Sequence, residues 1–396
     1  MSSTMNSRDR LKLALDHREP DRVPYDCAGT TVTSFSAVAY KNAMEFKGYP
    51  GFYDESKVVD IISQIIIPPE DMLIALKSDT RRIGAKRVFN LKERLKKEGN
   101  VWSLQDQYGC VWAMDEGKDF YFNQKFHPLE AYEDITDVVK RFKLPDIAAY
   151  KEEILDTWDS QSAEASKDAG FVADRICAGL TEMFFRYRGY EKGLMDMVLY
   201  PAESREILEQ IAEYKIQYWD LFGDYIKENR LEDSFLVVSE CDDLGTQQSL
   251  LMSKEMLEQI VFPPLRRYLG FIKNKIPNAK IFFHCDGSIK KIIPDFIEMG
   301  IDILNPVQYT AFDMDLFELK KNFGKDIVFW GAGIDTQGTL VKGSREEIRD
   351  EVKRNIDILA PGGGYVFTPI HNIQADVPPE NFWALWEAWN EYGSYS

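Results

Sequence analysis

Short apolar runs recur along the second half and more of the chain, and each is followed by a polar residue and then by a stretch with helical apolar spacing. This pattern predicts strands over 171–177, 235–239, 280–284, 303–307, 327–330 and 365–368. It predicts helices over 181–229, 254–273, 289–299, 313–322 and 345–359. A long polar helix is expected after Pro145. The earlier part reads differently. Ser7 is expected to cap a short amphipathic helix carrying Leu11, Leu13, Ala14 and Leu15, stopped near His17 by the following Pro20 and Pro24. Residues 23–31 read as a strand running into a small-residue loop, and 34–46 as a helix. Between 81 and 128 the spacing shortens to β-like pieces at 102–107, 110–114 and 120–126, broken by Gly109 and by 115–117.

Alternating strand and helix with near-continuously apolar strands predicts a parallel sheet covered on both faces. A (β/α)8 TIM barrel is favoured over a doubly wound sheet, because polar residues follow nearly every strand. They are Glu182; Glu240, Asp242 and Asp243; His284 and Asp286; Gln308; Asp335; His371 and Gln374. In a barrel those ends converge on one mouth, where active sites sit. No composition shift marks a boundary. The expected organisation is one domain over 1–396, with an N-terminal extension and inserted hairpins in 1–145 and regular repeats in 146–396. Gly362, Gly363 and Gly364 precede a strand, whereas phosphate-binding glycine loops follow one and open a helix.

A net charge of −17 disfavours nucleic acid and anionic membrane surfaces as partners. Cys27, Cys110, Cys177, Cys241 and Cys285 are odd in number and lack CxxC spacing, which points to a reducing, cytoplasmic setting. The polar start and the absence of a long apolar run predict neither signal peptide nor membrane span. The densest chemistry lies in 281–288, IFFHCDGS. On a strand His284 and Asp286 share a face and Cys285 points away. That pair reads either as half of a metal or acid-base site or as a histidine bonded to a turn-forming aspartate.

Five segments carry a family resemblance: NSRDRLKLALDHREPDRVP at 6–24, HCDGS at 284–288, IDILNPVQ at 301–308, FWGAGIDTQ at 329–337 and GGGYVFTPIHNIQADVPPE at 362–380. Together they resemble the uroporphyrinogen decarboxylase superfamily over most of the chain. The resemblance implies a (β/α)8 barrel with an N-terminal extension, and one of two chemistries. The decarboxylases hold a polycarboxylate with arginines just after the N-terminal proline-containing segment. Here that loop carries Asp26 and hydroxyls, which would repel carboxylates. The corrinoid-dependent methyltransferases that load coenzyme M carry zinc on a His-x-Cys pair and a later cysteine. The matching positions in this chain are His284, Asp286 and His371.

Exchanging thiolates for oxygen and nitrogen makes a harder site, a stronger Lewis acid towards oxygen. The resemblance therefore implies zinc on His284, Asp286 and His371, and Glu240, which ends a predicted barrel strand, is the candidate fourth ligand. It also implies methyl transfer from a methoxylated aromatic compound to a corrinoid supplied by a partner protein. Asp242 and Asp243 are candidates for the general acid, for orienting a histidine, or for a helix-capping turn. Asp26, Gln308, Asp335 and Gln374 are expected to line the substrate pocket, while Cys241 and Cys285 are out of phase with it. Rival readings are a metal-independent, uroporphyrinogen-decarboxylase-like lyase and an inactive barrel that only binds a corrinoid protein. Whether the chain forms a homo-oligomer stays open.

Overall fold

The computed structural model describes residues 5–49 and 57–395. Seven parallel strands form one curled sheet in chain order: β1 Thr80–Gly84, β2 Gly170–Asp174, β3 Phe235–Cys241, β4 Lys280–His284, β5 Ile303–Asn305, β6 Val328–Trp330 and β7 Tyr365–Val366. Segment 23–27 closes the ring. Tyr25 bridges Phe367 in parallel, next to the end of β7, and its carbonyl accepts a 2.8 Å hydrogen bond from the amide of Asp79, next to the start of β1. The result is the expected (β/α)8 barrel, with segment 23–27 in the position of the first strand.

The barrel thus begins earlier than the boundary expected at residue 146. The antiparallel hairpins interrupt it between β1 and β2. They form a four-stranded sheet of Lys96–Glu98, Val101–Gln105, Val111–Asp115 and Asn123–Phe126, whose first strand is too exposed and charged to show as a pattern. The helix near the N-terminus spans Ser7–Leu15. Its cap is Asn6, whose side chain accepts from the amide of Asp9, so Ser7 lies one residue inside.

This helix plugs the bottom of the barrel. Leu11 and Leu15 pack with Val172, Val237, Phe282, Ile303, Val328, Trp330 and Val366. A side chain at Gly170 would come within 2.6 Å of Leu11, so glycine there makes room for the plug. Arg10 and Arg22 then pair with the fully buried carboxylate of Asp79, at 2.7 Å each. Arg10 and Arg22 of the first resembling segment therefore fasten the extension to the barrel. Helix Pro379–Tyr392, which the apolar spacing did not single out, covers that side, with Trp389 stacked on Tyr25 at 4.6 Å between ring centroids. Among the described residues no helix is long and apolar enough to cross a membrane.

Candidate metal centre

His284 is the last residue of β4, and Asp286 follows in the turn above it. The turn is tied on both sides. The amide of Asp286 donates to Asp243 Oδ1 at 3.0 Å, and that of Gly287 donates to Gln308 Oε1 at 2.8 Å. Gly287 has φ +91°, and a Cβ there would meet the carbonyl oxygen of Thr246 at 2.6 Å, so only glycine fits. His371 arrives from the loop after β7. Ligand atoms of His284, Asp286 and His371 all lie within 4.8 Å of one another, and the two imidazole centroids are 5.3 Å apart.

The surrounding hydrogen bonds orient the rings. Asn305, at the end of β5, donates through Nδ2 to the carbonyl of Trp330 at 2.7 Å, which turns its Oδ1 towards His284 Nδ1 at 2.6 Å. His371 Nδ1 likewise meets Asn372 Oδ1 at 2.8 Å. With both Nδ1 atoms spent as donors, both Nε2 atoms are free to ligate. Burial lowers the pKa of His371, favouring the neutral ring that a metal requires. Asp286 Oδ1 is buried without a hydrogen-bond partner and its Oδ2 lies 3.9 Å from His284 Nε2, so the carboxylate beside the two histidines has acceptor capacity that a bound cation would complete. The fit to a divalent metal is good.

The other expected residues divide. Glu240 is not with the cluster. Strand parity turns it outward, where its carboxylate accepts from Lys215 Nζ and Trp219 Nε1, each at 2.6 Å, in a fully buried pair. Expecting it as a ligand overlooked that Ser239 and Cys241, rather than Glu240, face the barrel interior. Asp242 is also a framework residue. It accepts from Thr181 N at 3.0 Å, Thr181 Oγ1 at 2.5 Å and Glu182 N at 3.3 Å, capping helix Leu180–Arg188 from outside. Burial, then the charge of Glu182, pushes its carboxyl up to about 7.

Asp26, expected in the substrate pocket, is sealed instead. Its oxygens accept from Thr80 Oγ1, Gly29 N and Trp330 Nε1, at 2.6, 2.7 and 2.8 Å, joining segment 23–27 to the barrel wall. Asp243 does reach the site, lining a cavity with His284. Burial first, then Glu182, raises it to about 7. Cys285 faces away, its sulfur accepting from Leu244 N at 3.3 Å and its thiol pushed far up by burial.

Two cavities meet at the cluster. An outer cleft of about 500 Å³ is lined by Asp286, His371, Gln308, Asp335 and Gln374, with the exposed rings of Phe120 and Tyr121 at its rim. An inner chamber of about 140 Å³ is lined by His284, His371, Asp243, Arg87, Arg175 and Arg186, among others. Ser63, His371 and Asn372 line both. A larger cavity of about 720 Å³ lies beside helix Lys151–Glu164 and shares no residue with the cluster. The three arginines, and Asn305 and Asn372 behind the histidines, were missed by sequence reasoning. Arg175 had a signal: it is the first residue after β2, but the apolar run through Cys177 concealed where that strand stops.

Comparison with known proteins adds the following. No curated protein matches the sequence. A methyltransferase from Methanosarcina mazei shares the fold over 98% of this chain and 99% of its own, with a TM-score of 0.67 and 16% identity. An intracellular xylanase from Thermoanaerobacterium saccharolyticum (TM-score 0.34, 11% identity, 56% of this chain and 70% of its own) is a much looser overlap. So is a GH53 catalytic domain from Ignisphaera aggregans (TM-score 0.37, 15% identity, 90% and 91%). The profile of the family described as Uroporphyrinogen decarboxylase (URO-D) matches residues 181–392. That span is more than half of the chain and carries every strand from β3 to β7 with the loops bearing His284 and His371, so the protein belongs to the uroporphyrinogen decarboxylase family.

Proposed function

We propose that this protein is a methyltransferase that moves a methyl group from a methoxylated aromatic compound to the cobalt(I) corrinoid of a partner protein, using a divalent metal, zinc, on His284, Asp286 and His371. The observation that carries the reading is the cluster itself: two histidines with free Nε2 atoms beside a carboxylate, one oxygen of which is buried without a hydrogen-bond partner. Three protein ligands at the mouth of a barrel leave a position open for substrate, as catalytic rather than structural zinc sites do. A fold shared over its full length with a methyltransferase supports methyl transfer over decarboxylation.

When bound, such an ion supplies Lewis acidity towards an ether oxygen. The chain's own residues do the rest. Passing the methyl group to a partner's corrinoid would leave the methyl–oxygen bonding pair on the aromatic oxygen, and the phenoxide so released would need a proton. Asp243, on the chamber wall beside His284, is placed to give it, whereas Asp242 is occupied as a cap. The outer cleft leaves Asp286 and His371 open to an approaching partner, and the rings of Phe120 and Tyr121 stand at its edge.

Metal analysis of the purified protein tests the site. About one zinc per chain is expected, falling to background in the His284→Ala, His371→Ala double variant. Stoichiometric metal in that variant would show that the site lies elsewhere.

A further inference from the structure

The outer cleft is lined by neutral amides and carries no lysine or arginine. Five of its lining residues are primary amides, Gln247, Gln308, Gln337, Asn372 and Gln374, and its acids are Asp286, Asp335 and Asp376. Some of these amides hold one another in place. Gln308, 7% exposed, accepts from Gly287 N at 2.8 Å through Oε1 and donates to Gln247 Oε1 at 3.0 Å through Nε2. Gln374 Nε2 donates to Asn372 Oδ1, the same oxygen that meets His371 Nδ1.

What those bonds leave open is of both kinds. Gln374 Oε1 is buried without a partner, an acceptor in want of a donor. Gln247 Nε2 and the side-chain amide of Gln337 make no hydrogen bond among the described residues, so donors stand open in the same cleft. A ligand edge that answers both must donate and accept at neighbouring atoms without bringing charge. A primary carboxamide does so. A carboxylate only accepts, leaves Gln374 Oε1 unmet and faces the acids of Asp335 and Asp376 with no cation in the lining to offset them.

We infer that the outer cleft seats one edge of the partner's corrin through amide-to-amide hydrogen bonds, and reads the side chains of that edge as carboxamides rather than carboxylates. The inference rests on the methyl-transfer reading for the corrin's presence, but not for the preference between the two groups. A corrin carries acetamides and propionamides around its ring, whereas a uroporphyrinogen carries carboxylates there, so this lining separates the two macrocycles. The cleft, about 500 Å³, takes an edge rather than a whole ring, and Phe120 and Tyr121, 54% and 49% exposed at its rim, offer apolar faces to the macrocycle. Asp286 and His371 line the same cleft, so a corrin held there has its cobalt on the side of the metal cluster.

Equilibrium dialysis of the full chain against dicyanocobinamide and dicyanocobyrinic acid, read from the corrin absorbance, tests this without a partner protein. The two share one ring, with cyanide on both axial positions of cobalt so that neither bonds a histidine; the first carries amides and the second carboxylates. Cobinamide is expected to bind, and the acid to bind at least about tenfold more weakly. The gap should persist at 1 M salt, where the charge of the whole chain is screened over about 3 Å. Gln337→Leu should weaken cobinamide by about two- to tenfold, the worth of a neutral hydrogen bond, and Gln337→Lys should narrow the gap in favour of the acid. Gln337 is exposed and its side chain bonds nothing else among the described residues, so both variants keep the fold. Equal binding of the two corrins, a gap that closes in salt, no binding of cobinamide, or unchanged affinity in Gln337→Leu would each overturn the seat. If cobinamide is held through Gln337 but methoxybenzene gives up no methyl group to its cobalt(I) form, the seat stands and the methyl-transfer reading falls.

Discussion

Whether a carboxylate in this protein is chemistry or framework is decided by its side of a strand. Asp286 and Cys285 are neighbours, yet Asp286 joins two histidines while Cys285 is buried against the amide of Leu244. Asp286→Asn is therefore expected to lose most of its bound metal while keeping its fold, and Cys285→Ser to keep both. Metal content by plasma emission, with circular dichroism as the control, checks it; the opposite outcome would mean that the thiol is the ligand. Glu240 gives the converse test. Removing it strands the ammonium of Lys215 in a fully buried site, so Glu240→Ala should cost about 3–5 kcal/mol in urea denaturation, with metal content unchanged. Replacing both partners with Leu and Met should recover much of that loss. A destabilised Glu240→Ala protein that also loses its metal would return Glu240 to the ligand set. The alternation of side chains made His284 and Asp286 legible as a pair from eight residues. It failed at Glu240 because a polar residue near a strand end was counted without asking which face it occupied.

At the scale of elements, the spacing of apolar residues located each barrel strand from β2 to β7 to within a few positions, and helix Arg345–Leu359 to the residue. Those elements are buried on one or both faces, so packing and pattern agree. What was not legible lies where local pattern and tertiary role part. Segment 23–27 closes the barrel through bonds to residues far along the chain, and β1 hid among the arginines of Thr80–Gly84. Those arginines are neutralised by partners no window of sequence contains: Arg82 pairs with Asp174 at 2.6 Å and Arg81 with Glu70 at 2.6 Å. The cap on helix Leu180–Arg188 is of the same kind. Its first residues are satisfied by Asp242, sixty residues on, rather than by a local Ser or Asp. Asp242→Ala is expected to lower stability by about 1–3 kcal/mol, a lost cap plus unsatisfied buried amides, and Asp242→Asn by less, because its carbonyl still accepts. Denaturant melts compare them. Neither should alter metal content, and a selective loss of methyl transfer in a fully stable Asp242→Asn protein would restore a catalytic role to Asp242.

For the whole molecule, the barrel gathers groups that the chain keeps far apart. Arg87, Arg175, Asp243, His284 and His371 stand at or after the ends of five different strands of the ring, and only its closure puts them around one space. Fold and family were legible because their signals repeat along the sequence. The arginine-lined chamber was not, since each arginine alone looks like any surface cation. That finding also changes an argument about the reaction. Arginines are absent from the loop after the N-terminal prolines, but they are not absent from the site, so the case against decarboxylation rests on the grouping of His284, Asp286 and His371. The decisive experiment takes both substrates to the same protein. Mixed with cobalt(I) corrinoid and methoxybenzene, the zinc-loaded chain is expected to convert the cobalt spectrum to methylcobalt(III) and release phenol in equal amount. Asp243→Asn, which cannot supply the proton, should be slower by about 10²–10⁴-fold, the usual contribution of a general acid, with methoxybenzene binding retained. Carbon dioxide released from uroporphyrinogen, with no methyl transfer from any methoxylated aromatic compound, would instead assign the barrel to the decarboxylases.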